Sequence, residues 1–336
     1  MTGSVEINTT EGNYTNGGFD MTVIKILEVS YIVVLSGIFF LGITGNGLVI
    51  WFVAFRMKKT VNSVWFLSLA FADFTFCLLQ PLTITHVALD GHWPFGTFMC
   101  KLNRFSIYLN LSASVLQLTV ISIDRCISVV FPVWCQNHRT VRLAVKVVLV
   151  LWIVSLLLNV SYFTNTYIYD TNYKFVYCFE DWVMDKVQII IRFIVLFVIA
   201  FTIIIFCYTL IFLRIQRNRR ATSTKPFKVI AAVIISFFIC WFPYHVFSIM
   251  DAYGSNTWQH NYWFVIAIGR HVTSVLAYSN SCVNPLLYVF IGQDFKQKFW
   301  SAIKSAFERT FIEDANMTDP NPNRHLFLTD HAMSQM

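Results

Sequence analysis

The chain has 336 residues, 56% of them hydrophobic and only 13% charged, and a mean hydropathy of +0.59, a balance that excludes a water-soluble globular domain. In lipid only helices and closed barrels satisfy every backbone polar group, and the ten-residue alternation of barrel strands is missing here. Glycine and proline are scarce, at 13 and 8 residues, so the helices are long and rarely interrupted.

Residues 1–26 are polar and carry Asn8-Thr9-Thr10 and Asn13-Tyr14-Thr15, glycosylation acceptors if they face the lumen. No basic, apolar and small-residue progression opens the chain, so the first span is expected to act as its own insertion signal. Hydropathy predicts spans over 27–54, 61–89, 97–130, 143–165, 187–214, 228–251 and 262–290. The expected fold class is all-α: one seven-helix transmembrane domain over 27–290, with no internal repeat. In 291–308, Phe295, Phe299, Ile303 and Phe307 recur every fourth residue with Lys296, Lys298 and Lys304 between them, the pattern of an amphipathic helix lying on the membrane. Residues 309–336 read as a polar cytoplasmic tail, in which Asn316-Met317-Thr318 is a chance triplet.

The short connectors sort by charge. The odd ones carry Arg56, Lys58 and Lys59, then Arg139 and Arg142, then Arg214, Arg217, Arg219, Arg220 and Lys225. The even ones carry Asp90, then Asp170, Glu180, Asp181 and Asp185, then Asp251. The odd connectors are therefore expected to be cytoplasmic and the N-terminus extracellular, in a multi-pass plasma-membrane protein. The net charge of +7 is then an inner collar facing anionic lipid and calls for no nucleic-acid partner. Of eight cysteines, only Cys100 and Cys178 fall on the outer side, so a disulfide between them is the economical reading.

Charged groups inside spans are costly and usually functional. Asp73 lies mid-span in the second helix, and Asn46, Asn110, Ser114, Asn280 and Asn284 bring oxygens to a similar depth. Hard cations want such oxygens, so a sodium site is one reading and a hydrogen-bonded acid filling a core gap is the other. Pro81, Pro243 and Pro285 interrupt three helices and point to hinges. Asp124 and Arg125 sit at the inner end of the third span, where such a pair can close in one state and open in another.

These residues in this order resemble the rhodopsin-like G-protein-coupled receptors: GlyAsn at 45–46, SLAFAD at 68–73, Cys100, AspArgCys at 124–126, Trp152, CysTrpPhePro at 240–243 and AsnProLeuLeuTyr at 284–288. GHWPFG at 91–96, QNHRT at 136–140 and IGQDF at 291–295 narrow the resemblance to the formyl peptide receptors and their rodent relatives, some of them chemosensory receptors of the vomeronasal organ. The resemblance implies activation through Asp124, Arg125, Trp241, Pro243, Asn284, Pro285 and Tyr288. It also implies sodium at Asp73, Ser114 and Asn284, and a heterotrimeric G protein of the inhibitory class, with calcium signalling, as partner. Two departures weigh against formyl recognition: Tyr108 stands where that family places an acid, and Gln188 where it places the first of two arginines, leaving Arg192 as the second. Ala200 replaces a proline usual in the fifth helix.

By spacing, the ligand-facing residues are Arg104, Tyr108, Leu111, Gln188, Arg192, Trp241, Tyr244, His245, Ser248, Arg270 and Ser274, with Arg104 and Arg192 as forks for a carboxylate. Ile107 in place of an aspartate excludes a biogenic amine, and Tyr278 in place of a lysine excludes a retinal Schiff base. The expected ligand is a peptide or a chemosensory small molecule; non-formylated peptides or lipids, or a non-signalling scavenger on the same fold, are the alternatives. No nucleophile–base pair, metal spacing or phosphate loop suggests an enzyme, and no paired repeats suggest a transporter. The tail holds few hydroxyls, among them Ser305, Thr310, Thr318, Thr329 and Ser334, so arrestin binding is expected to be weak.

Overall fold

A computed structural model describes residues 21–171, 175–217, 225–254, 260–291 and 301. Asn8, Asn13, almost all of the expected surface helix and the tail lie outside the described residues, as does the side chain of Tyr288.

Apolar runs too long for any soluble core become the spans α1 (Met21–Phe55), α2 (Val61–Ala88), α3 (Gly96–Val130) and α5 (Val141–Asn165), separated by short connectors. A short helix, α4 (Pro132–His138), precedes α5. The fifth span is composite: α6 (Trp182–Arg192), a π-helical run over Phe193–Ile199, then α7 (Ala200–Arg217). The last two are α8 (Lys225–Tyr253) and α9 (His260–Ile291). Six of these seven stretches are apolar enough to cross a hydrocarbon core, and α9, at 32 residues, is long enough. Helices α1, α6 and α8 begin before the predicted spans because helical hydrogen bonding continues past the edge of the apolar window.

Local chemistry sets the helix starts. Thr60 and Ser63 form a reciprocal capping box at α2, with Ser63 N donating to Thr60 Oγ1 at 3.1 Å and Thr60 N to Ser63 Oγ at 2.8 Å. Thr140 caps α5 by accepting from Leu143 N at 3.3 Å. Pro132 opens α4, where its missing N–H costs nothing.

In lipid, helices associate through close packing and polar contacts rather than through expulsion of water. Trp152 Nε1 donates to Ser68 Oγ at 3.1 Å, Asn159 Nδ2 to Ser112 Oγ at 2.6 Å, and Asn46 Nδ2 to the Ser281 carbonyl at 2.8 Å. Gly269 on α9 lies so close to Phe247 on α8 that an added methyl carbon would fall 1.8 Å from the ring. Gly269→Ala is expected to displace the Phe247 ring from its place between the two helices and to cost about 1–3 kcal/mol, read as a lower unfolding temperature of the solubilised protein.

The hydropathy pattern missed one element. Between α5 and α6 the chain forms an antiparallel hairpin, β1 (Thr166–Thr171) and β2 (Phe175–Glu180), with Ile168 opposite Cys178. Its aromatic and β-branched residues suit strands, but six-residue strands leave no mark beside seven long apolar peaks. The expected disulfide is present, joining Cys100 at the start of α3 to Cys178 on β2. The α2–α3 connector grips the same strand: Trp93 N donates to the Val176 carbonyl at 2.7 Å, and Val176 N to His92 Nδ1 at 3.1 Å. Asp90 and Gly91 turn this connector in the left-handed region, at φ 51° and 86°, and Gly96 enters α3 from the same region at φ 74°.

Candidate functional site

At the disulfide end the bundle encloses a cavity of about 410 Å³. Its polar lining includes His86 on α2, Asn103, Arg104 and Tyr108 on α3, Tyr244 and Asp251 on α8, and Arg270, His271, Ser274 and Tyr278 on α9, with Tyr31 from α1. Both lining arginines already hold a partner. Arg104 Nε lies 3.4 Å from the carboxylate of Glu180 at the end of β2, and Arg270 Nη1 donates to Asp251 Oδ2 at 2.5 Å. The Arg270–Asp251 pair is partly exposed and contributes little to stability, so a ligand carboxylate can compete for Arg270 at low cost, whereas Glu180, only 14% exposed, holds Arg104 from a more buried position.

Of the residues expected on the ligand face, Arg104, Tyr108, Tyr244, Arg270 and Ser274 line this cavity, whereas Leu111, Gln188, Arg192, Trp241, His245 and Ser248 do not. Leu111 is fully enclosed in the apolar core. Gln188 turns towards α5 and donates to Ser161 Oγ at 2.6 Å. Arg192, only 5% exposed, sits over Tyr108, its guanidinium carbon 3.8 Å from the ring centroid, with the Tyr162 centroid at 5.1 Å and the Asp185 carboxylate 3.7 Å from its Nη2. The expected carboxylate fork is therefore covered by an aromatic ring, which both stabilises its charge and screens it from the cavity. His245 is buried among Phe193, Phe197 and Tyr244. Trp241 lies buried one turn below Tyr244, its ring edge-on to that phenol with centroids 5.6 Å apart. Spacing along single helices found the cavity arginines but not their partners, because Glu180 and Asp251 come from other elements.

Deeper in the bundle Asp73 is fully buried, accepting from Asn110 Nδ2 at 3.1 Å and from Asn284 Nδ2 at 2.8 Å. Among the described residues Ser114 Oγ, Asn280 Oδ1 and Asn284 Oδ1 are buried oxygens without a hydrogen-bond partner. The Asp73 carboxylate, hydrogen-bonded to Asn284, whose own Oδ1 is unsatisfied, offers oxygens of the kind a hard cation takes and gives nothing to a soft metal. Pro243 and Pro285 lie within unbroken α8 and α9.

At the opposite end the Asp124–Arg125 pair differs from expectation. Arg139, just beyond α4, takes both carboxylate oxygens of Asp124, at 2.8 and 3.0 Å, and also donates to Asn62 Oδ1 at 2.7 Å. Arg125 is buried, stands 3.8 Å from Asp124 and donates to the same Asn62 oxygen. A bidentate fork outcompetes a single contact, and Arg125 on the same helix turn lacks the geometry for one. The sequence shows Arg139 only as one more loop cation.

The comparison with known proteins decides what these sites belong to. Residues 45–288 match the 7 transmembrane receptor (rhodopsin family). The chain belongs to this family of receptors. It is 39% identical to mouse formyl peptide receptor 2 over 92% of this chain and 94% of that protein. It is 40% identical to mouse formyl peptide receptor-related sequence 1 over 91% and 92% of the two chains. Human chemerin-like receptor 1 is also 40% identical, over 86% of this chain and 82% of that protein. The protein is thus a multi-pass membrane receptor rather than an enzyme, built on the seven-helix bundle that hydropathy predicts. In the receptor, Arg139→Ala strips Asp124 of its bidentate partner and is expected to lower stability by about 1–2 kcal/mol, while Arg139→Lys restores only part of it because an ammonium cannot fork. Thermal unfolding of the solubilised receptor measures both.

Proposed function

We propose that the receptor sits in the plasma membrane with its N-terminus outside, binds an extracellular peptide and signals through heterotrimeric G proteins of the inhibitory class. The single observation that carries the ligand reading is the cavity itself, with two arginines each held by a carboxylate. Its 410 Å³ matches a small molecule or the terminal residues of a peptide. The charge asymmetry of the connectors supports the orientation. The name of one relative, formyl peptide receptor 2, supports the peptide class.

Within that class the cavity favours a free carboxylate over a formyl group. Tyr108 supplies no charge where an acid was needed, and Arg192 is covered by that same ring. The ligand's carboxylate displaces Glu180 from Arg104 or Asp251 from Arg270. Beneath it, Trp241 and Pro243 relay the ligand's presence to Asn284 and Pro285, and Asp124 and Arg125 complete the coupling end. A sodium ion at Asp73, Ser114, Asn280 and Asn284 favours the resting bundle, a role supported by the buried oxygens without partners.

Calcium and cyclic-AMP signalling in transfected cells, challenged with formylated peptides and with the same peptides unformylated, tests this reading. The expected result is a response that ignores the formyl group and weakens roughly 10–100-fold in Arg104→Ala or in Arg270→Ala, whichever arginine the carboxylate takes, the loss of one charge-assisted hydrogen bond. A response that requires the formyl group and is abolished by Arg192→Ala, with surface expression intact, would overturn it.

A further inference from the structure

All eight cysteines lie among the described residues: two form the disulfide, and five are buried inside spans. Cys135 is the exception, a half-buried thiol outside any disulfide on α4 at the basic end of the bundle, its sulfur 3.3 Å from Ser128 Oγ on α3. Its surroundings are those of a membrane boundary. Phe131, Val133 and Trp134 are exposed apolar neighbours, and Arg139 and Arg142 stand four and seven residues beyond Cys135. Such a segment lies with its apolar side chains in the lipid and its cations at the headgroups.

Cys135 also lines a second cavity, of about 140 Å³, between α2, α3, α4 and α5. Val61, Val120, Ile127, Leu143 and Val147 make most of its wall apolar. One buried donor in that wall has no partner: Trp65 is 3% exposed, and its indole N–H makes no hydrogen bond. An apolar cavity with one unanswered N–H and a thiol at its rim asks for an apolar chain that begins with a carbonyl.

We propose that Cys135 is S-acylated with a long-chain fatty acid. The thiol sulfur attacks the thioester carbonyl of a cytosolic acyl-coenzyme A, a new S–C bond forms, and coenzyme A leaves carrying the thiol proton. No oxidant or reductant is involved. The new carbonyl is an acceptor for the Trp65 N–H, the first methylenes fill the cavity, and the rest of the chain runs into the bilayer past exposed Trp134 and Leu143. Because Arg139 and Asp124 share this wall, the acyl chain also packs beside their ion pair. A juxtamembrane cysteine is a suitable acceptor for such a modification. The proposal rests on the orientation above, since acyl-coenzyme A is cytosolic.

Cells expressing the full-length receptor with an N-terminal epitope tag are fed an alkyne-bearing palmitate analogue, and the purified receptor is assayed for label. The expected result is label removed by neutral hydroxylamine and lost in Cys135→Ser. Equal label in Cys135→Ser overturns the proposal, as does the lack of label on wild type while a known acylated protein in the same cells carries it. If Cys135→Ser fails to reach the surface, mass mapping of the wild-type Cys135 peptide decides: an added acyl mass upholds the proposal and a free thiol ends it. Antibody access to the tag on intact cells reads the orientation separately, so failure of that reading is distinguishable from an unmodified Cys135.

Discussion

Cys100→Ser, alone or with Cys178→Ser, is expected to remove most of the receptor from the cell surface. The two cysteines are 78 residues apart, and the chain-entropy account values a closure of that length at about 4–5 kcal/mol. The helices already restrain the unfolded chain, so a loss of roughly 2–4 kcal/mol is the better figure, still a large part of a marginal stability. Without the disulfide the hairpin is tied to the rim chiefly by the Trp93–Val176 and Val176–His92 hydrogen bonds and by Glu180 on Arg104. Flow cytometry against an N-terminal tag, paired with thermal inactivation of the solubilised protein, measures both levels. A double serine variant with wild-type surface density and stability would show that those loop contacts suffice.

Asp73→Ala is expected to be the most damaging single substitution inside the bundle. It leaves the Asn110 and Asn284 amides buried with no acceptor, and breaking a buried charge network in this way costs roughly 3–5 kcal/mol. Asp73→Asn keeps the shape and one acceptor oxygen, so it should fold while losing the charge. Unfolding temperatures in sodium chloride and in choline chloride separate the two effects. The wild type should be more stable in sodium, and Asp73→Asn indifferent to the cation. Equal stability of the wild type in both salts would remove the sodium ion from the account.

How far the sequence can be read depends on where a residue's partners come from. Seven spans, the Asp73 layer and the disulfide were legible because each is written in long apolar runs, in polar residues at matching depth, or in the sides to which cysteines sort. Arg139 was visible only as a cation, since its role depends on α4 folding back to bring it onto Asp124. Arg192 was misplaced for a related reason. Its helix phase suggests an inward guanidinium, but Tyr108 and Tyr162 from two other helices intercept it. The π-helical run Phe193–Ile199, which ends just before Ala200, breaks the regular phase immediately after Arg192. The hairpin escaped notice because its two strands are short, and Glu180, at its end, went with it.

The stack of Tyr108 on Arg192 separates what the cavity can recognise from what holds the bundle together. The guanidinium is already present, already balanced by Asp185 and already paid for in folding. A smaller side chain at position 108 would present it to the ligand without adding a charge to the chain or moving a helix. One codon therefore stands between a cavity lined by two arginines and one into which a third can turn.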